Sequence, residues 1–397
     1  MNMDTYTIST LIQRISKLFG LTSYIQIADD SYRKSKFWLC YGILLSLSMV
    51  FGIIYNYQTE LNDNIKGFYN YSYLTSLETF IAIAVVSQII SLFNGNRIIN
   101  IYKQFHRYDI TSKLKPSKEQ MFKTVLIEII FALAFIFTHS YVTATNIVNF
   151  FKSVDIFSAF QCWFSFFCAN AVLWINNTQF YYFLIMLKQR YACLNELLQE
   201  IRENNNALKF EKVPELYGFL CDTLEYVNNT FSFQIILILI RCFFQTTWLC
   251  YAITMKIIIN LQENHLISYH VGNFTVPFFI ILFLVKILTS IVTCAQTANE
   301  ANRTPILVHK LINRTEDPAI REQLELFSLQ LAQRKIRFTA CGFFPLDFTL
   351  LYSIAGAVTT YLIILIQFQL SENKDVPSVS SASTSLIVTN VTSLSEV

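Results

Sequence analysis

Residues 348–368 read FTLLYSIAGAVTTYLIILIQF, twenty-one positions without one charged side chain. About 20 mostly apolar residues in a helix cross the hydrocarbon core of a bilayer, and a helix satisfies its backbone polar groups internally, as lipid demands. The stretch is therefore read as a membrane helix. Six earlier stretches read the same way: 37–57, 73–93, 124–148, 157–187, 234–259 and 276–297. The whole 397-residue chain agrees, with 53% apolar or aromatic residues, 14% charged residues and a mean hydropathy of +0.41. Soluble domains carry about 25% charged residues, so a soluble enzyme is excluded. Nine Gly and seven Pro exclude a collagen-like or wholly disordered chain, and a net charge of +3 argues against nucleic acid as a partner. The expected fold is all-α and integral to the membrane, with seven transmembrane helices.

The connecting segments give the orientation. Cytosolic loops carry an excess of Lys and Arg. Segments 1–36, 94–123, 188–233 and 298–347 hold twenty-four of them, and the alternate segments hold three. The N-terminus is thus expected in the cytosol and the C-terminus outside. The N-terminal sequence has no basic start followed by an apolar core and a cleavage site, so no signal peptide is expected. Asn-x-Ser/Thr acceptors at Asn70 and Asn273, with another at Asn390, fall on external segments as candidate glycosylation sites. All nine Cys lie in spans or on the cytosolic side and none forms a CxxC pair, so neither an external disulfide framework nor a metal or cofactor is expected.

The cytosolic side has helical patterning. Leu187, Tyr191, Leu194, Leu198 and Ile201 recur at spacings of three and four, extending the fourth span inward. Leu216, Leu220 and Val227 line a face leading into the fifth span. Asp317 suits an N-cap and Pro318 the first helical position, with Ile320, Leu324, Phe327 and Leu331 on the face that follows. These helices either pack within one subunit or join subunits. The organisation read from this is a cytosolic segment 1–36, spans one to six with their extensions in 37–316, a cytosolic anchor helix in 317–347, the last span in 348–368, and a Ser/Thr-rich external tail, 369–397, expected to be disordered.

The end of the last span carries a motif. Thr360 and Tyr361, five apolar residues from Leu362 to Ile366, then Gln367 and Phe368 resemble the C-terminal signature of insect gustatory receptors. Gly342, Phe344, Asp347 and Leu350 also stand at familiar places, and the long tail departs from the usual short ending. The resemblance implies a tetrameric, ligand-gated cation channel, homomeric or formed with related subunits. Four copies of the seventh helix would surround the pore, and each subunit would carry a pocket in its outer half. The ligand would be a small-molecule tastant such as a bitter compound, and the location the plasma membrane of sensory dendrites, in contact with lipid.

On a helix Thr360, Ile364 and Gln367 share one face. A ring of Ile364 one turn inside a ring of Gln367 makes a hydrophobic constriction below a polar mouth, which can gate by dewetting. Ile363 and Phe368 complete the pore candidates. Asp347 is expected to cap the helix. Polar and aromatic groups in the outer halves of the spans, costly in lipid, give the ligand-binding candidates: Tyr73, Glu78, His139, Tyr141, Trp163, Gln245, Trp248 and Tyr251. Glu78 is also a possible partner for Lys286. A G-protein-coupled receptor has the opposite orientation, a transporter would show repeated halves, and no HExxH or GxSxG supports an enzyme. A related odorant receptor is the near alternative.

Overall fold

The computed structural model describes residues 5–28, 31–62, 68–114, 123, 125–138, 141, 156–204, 211–262, 272–334 and 336–375. In chain order these form α1 (Thr5–Leu18), the hairpin β1 (Tyr24–Ala28) and β2 (Ser31–Lys34), α2 (Lys36–Asn62), α3 (Phe68–Phe93), α4 (Gly95–Ser112) and α5 (Val125–Thr138). There follow α6 (Ile156–Asn204), α7 (Val213–Gln262), α8 (Gly272–Ile312), α9 (Pro318–Gln333), the hairpin β3 (Thr339–Ala340) and β4 (Phe344–Pro345), and α10 (Phe348–Asp375). The seven expected spans lie in α2, α3, α5, α6, α7, α8 and α10, and only 125–138 and Tyr141 of the third span are described beyond Thr124. The protein is a bundle of seven membrane helices with a cytosolic N-terminus and an external C-terminus.

Three boundaries differ from the sequence reading. The loop at 94–123 contains α4, which leaves α3 at a 57° bend. The segment 317–347 is a helix only to Gln333, after which β3 and β4 turn the chain into α10. α10 itself runs to Asp375, seven residues past Phe368, so the expected tail begins as helix; 376–397 lie outside the described residues.

Lengths of 49, 50 and 41 residues make α6, α7 and α8 about 60–75 Å long at 1.5 Å per residue. The bilayer core takes about 30 Å, and the remainder forms the cytosolic layer. There the predicted stripes are buried: Tyr191, Leu194 and Leu198 are fully covered, as are Leu220 and Val227, and Leu324, Phe327 and Leu331 of α9 close over them. Asp317 accepts from the Ala319 N–H at 2.9 Å, capping α9 with Pro318 in its first turn. Charge fixes the layer as well. Arg190 of α6, 1% exposed, makes a two-pronged contact with Asp109 of α4 at 2.9 and 2.6 Å and lies 4.6 Å from the Phe105 ring centre. Asn195 bonds Glu300 and Thr304 of α8.

Among the described residues, Val213–Met255 and Phe348–Phe368 alone pass as spans on length and uninterrupted apolarity, with the bent pair of α3 and α4 as a third. α6 is interrupted by Asn170, Asn176, Asn177 and Gln179, all buried. In lipid such groups must find partners inside the bundle, and most do. The Asn176 amide donates to Ser87 and its carbonyl accepts from Ser91, whose oxygen accepts from Gln234 at 2.7 Å. Gln88 bonds the carbonyls of Phe19, Gly20 and Gly42. Arg241 reaches Asn170 at 2.9 Å. Polar residues that break the apolar pattern are the joints between helices.

Candidate functional site

α10 is held at its cytosolic base and left bare above it. The chain reverses through Cys341 (φ 49°) and Gly342 (φ 76°), and the left-handed backbone at the second position suits glycine. Asn228 of α7 accepts from the Thr339 N–H at 3.0 Å and Ser232 donates to the Thr339 carbonyl at 3.3 Å, tying β3 to α7. Asp347 then accepts from both the N–H and the hydroxyl of Thr349, capping α10. One face of the helix, Leu351, Ile354, Leu362, Leu365 and Ile366, leans on the core, and the Tyr361 ring meets Phe243 of α7 edge-on at 5.4 Å.

The other face is open. Only 11% of the apolar stretch in Phe348–Phe368 is buried within the chain. Ser353, Gly356, Thr360, Ile364 and Gln367 are exposed and follow one another at spacings of three and four, so they form a continuous strip. The hydroxyls of Thr359 and Thr360 donate back to the Ala355 and Gly356 carbonyls at 2.9 and 3.0 Å, which satisfies the hydrogens without water and leaves the oxygen lone pairs outward. Ile363 and Phe368 are 51% and 61% exposed. All five expected pore residues therefore lie on exposed surface of one helix.

The expected ligand residues are not gathered. Trp248 and Tyr251 are buried and tilted together at 5.7 Å, with Gln245 half-buried a turn earlier on α7. Trp163 stacks on Phe167 at 5.6 Å. Glu78 is half-buried, and Tyr141 is 71% exposed. His139 lies outside the described residues, and the side chains of Tyr73, Asn70 and Asn273 do too, although their backbones begin α3 and α8. None of the three described clefts is lined by any of the eight. Lys286 pairs with Glu128 of α5 rather than Glu78, and its ammonium sits 4.7 Å from the Trp174 ring centre. Sequence reasoning missed Glu128, which interrupts the apolar run of the third span.

A family profile described as 7tm Chemosensory receptor matches residues 11–372. The chain belongs to this chemosensory receptor family. It is 22% identical to gustatory receptor 28b of Drosophila melanogaster over 399 aligned positions, covering 89% of this chain and 84% of that protein. A 32% identity with gustatory receptor 28a of the same fly spans 45% of this chain and 39% of that one. In structure the receptor resembles the insect olfactory receptor OR5 from Machilis hrabei, with a TM-score of 0.68 at 13% identity over 91% of this chain and 98% of that chain. OR5 in complex with eugenol gives 0.65 over 92% of this chain. The family is one of receptors, not of enzymes.

Proposed function

We propose that this chemosensory receptor is a gustatory-type, ligand-gated, non-selective cation channel of four subunits, with α10 lining the pore. The observation that carries the reading is the bare face of α10. A helix this apolar needs neighbours, and its own chain covers little of it. Lipid suits Ile363 and Phe368 but not a strip with Ser353, Thr360 and Gln367, for which other subunits and a water-filled axis are better surroundings. Ile364 is the constriction and Gln367 the outer mouth. With no acidic side chain on the strip, discrimination among cations is weak.

A small organic tastant such as a bitter compound is the ligand class in this reading, bound in the outer half of the bundle among the candidates on α3, α6 and α7 and those that follow α5 in the sequence. The eugenol complex of OR5 supports a small organic ligand. The site of action is the plasma membrane of sensory neurons. Patch-clamp recording tests the reading. Ile364→Ala raises basal current, and Gln367→Glu raises calcium permeability relative to sodium by placing a ring of carboxylates at the mouth. Well-expressed variants with unchanged leak and unchanged reversal potentials would remove α10 from the pore.

A further inference from the structure

α1 climbs beside the membrane helices instead of lying beneath them. Gln13 of α1 lines a crevice together with Gln179 of α6. The Phe19 ring, just past the end of α1, lies 6.1 Å from that of Phe167, twelve residues nearer the outer end of α6. The Leu18 carbonyl accepts from the Tyr41 hydroxyl of α2 at 2.8 Å, and Tyr41 is five residues past Lys36, where α2 begins. At 1.5 Å per residue, Arg14, four residues before Leu18, stands about level with the start of α2. That level is the cytosolic edge of the first span. There Phe37, Trp38 and Tyr41 meet edge-on at 5.5 and 5.7 Å, as aromatic residues gather at a membrane boundary.

One face of α1 is covered, with Ile12 and Ser16 buried. The outward face carries Leu11, Arg14 and Leu18 at spacings of three and four, all exposed. Lys17, half-buried, flanks it and is close enough to Arg14 for their charges to repel. Phe37 and Lys36 are exposed at the foot of α2. Among the described residues no carboxylate pairs with Arg14, Lys17 or Lys36, whereas the covered cations Arg190 and Lys286 are each matched. Water is a poor surrounding for Leu18 and Phe37, and hydrocarbon a poor one for Arg14 and Lys17. A phospholipid suits both, and a net negative headgroup also relieves the repulsion. We infer that α1 and the foot of α2 bind an anionic phospholipid of the cytosolic leaflet, its phosphate held by Arg14 and Lys17 and its acyl chains running past Leu18 and Phe37. Other basic residues on this side attract anionic lipid in general; this strip differs in setting an unmatched pair of cations beside an exposed apolar surface. The inference uses the membrane fold and not the channel reading.

Photolabelling tests the site directly. The full chain in phosphatidylcholine nanodiscs receives phosphatidylserine carrying a diazirine high on one acyl chain, or the matching phosphatidylcholine probe. After illumination, adducts are mapped by peptide mass spectrometry. The serine probe should label Leu18, Phe37 or their neighbours at least tenfold more than the choline probe, as two basic residues at an anionic surface imply. Arg14→Gln with Lys17→Gln should bring the two probes level. Lys310→Gln with Arg314→Gln, the same loss of charge at exposed positions around the cytosolic end of α8, should leave the preference intact. Should the first pair not fold, Leu18→Glu, at an exposed position, must abolish the preference by giving Arg14 a carboxylate one turn away. Equal labelling by the two probes in the unaltered chain would overturn the proposal, as would a preference that survives Arg14→Gln with Lys17→Gln or one lost equally with Lys310→Gln and Arg314→Gln. So would full competition by glycerophosphoserine, which has the headgroup without the tails, since the pair would then hold a free anion. Because the readout is an adduct and not a current, its failure leaves the pore assignment standing.

Discussion

α7 and α10 are equally good membrane helices by composition and have opposite surroundings. In Val213–Met255 61% of the apolar stretch is buried in the chain, and in Phe348–Phe368 only 11%. The polar groups differ in the same sense. Arg241 and Gln234 of α7 reach Asn170 and Ser91 on other helices. Ser353, Thr359 and Thr360 of α10 bond only the backbone of their own helix. Apolarity thus assigns both to the bilayer, but the partners of the polar residues separate a helix that holds the subunit together from one that faces outward for another purpose.

The interior should be fragile where α10 is not. The largest effect is expected for Glu128→Leu, which strands the Lys286 ammonium inside the bundle and costs about 3–5 kcal/mol. It should show as loss of monodisperse protein in detergent, and Glu128→Leu with Lys286→Leu should recover most of it. Next, Leu249→Ala and Ile363→Ala delete similar aliphatic atoms from the two helices. Leu249 is 7% exposed and Ile363 51%. The first should lower stability by about 3 kcal/mol and the second by less than about 0.5 kcal/mol, read as thermal midpoints; equal shifts would break the comparison.

The smallest effect is chemical. Cys221, on the cytosolic extension of α7, is buried, and burial raises its thiol pKa against hydrogen bonds from Tyr191, Arg334 and Tyr217 that lower it. Cys341, in the turn that leads to α10, is exposed. Raising the pKa keeps the thiol protonated and unreactive through neutral pH. Iodoacetamide should therefore modify Cys341 well before Cys221, and peptide mapping over time would show it.

The seven spans, their orientation and the cytosolic stripes were legible because each rests on local periodicity or on charge counts that no tertiary contact alters. The α9 cap at Asp317 and the α10 cap at Asp347 were legible for the same reason. α4 was not singled out, although Ile98, Ile101, Phe105 and Tyr108 recur at helical spacing and are buried; the seven basic residues of segment 94–123 mark it first as a charged loop. The end of α10 was misplaced because Ser-Glu-Asn-Lys after Leu370 has no apolar pattern, yet continues the helix. Pairings across helices were out of reach in principle. Nothing in the sequence near Lys286 chooses Glu128 over Glu78. The strip on α10 could be read from spacing, whereas its exposure needed the fold.

The central claim, that the bare face of α10 faces water in a pore, is tested most directly by substituted cysteines. Thr360→Cys, Gln367→Cys, Val358→Cys and Leu362→Cys are each placed in the leaking Ile364→Ala background and exposed to a cationic, water-soluble methanethiosulfonate during recording. The account predicts that current falls on modification at 360 and 367 and is unchanged at Val358, which is buried, and at the half-buried Leu362. Modification at 358 and 362 with none at 360 and 367 would contradict it.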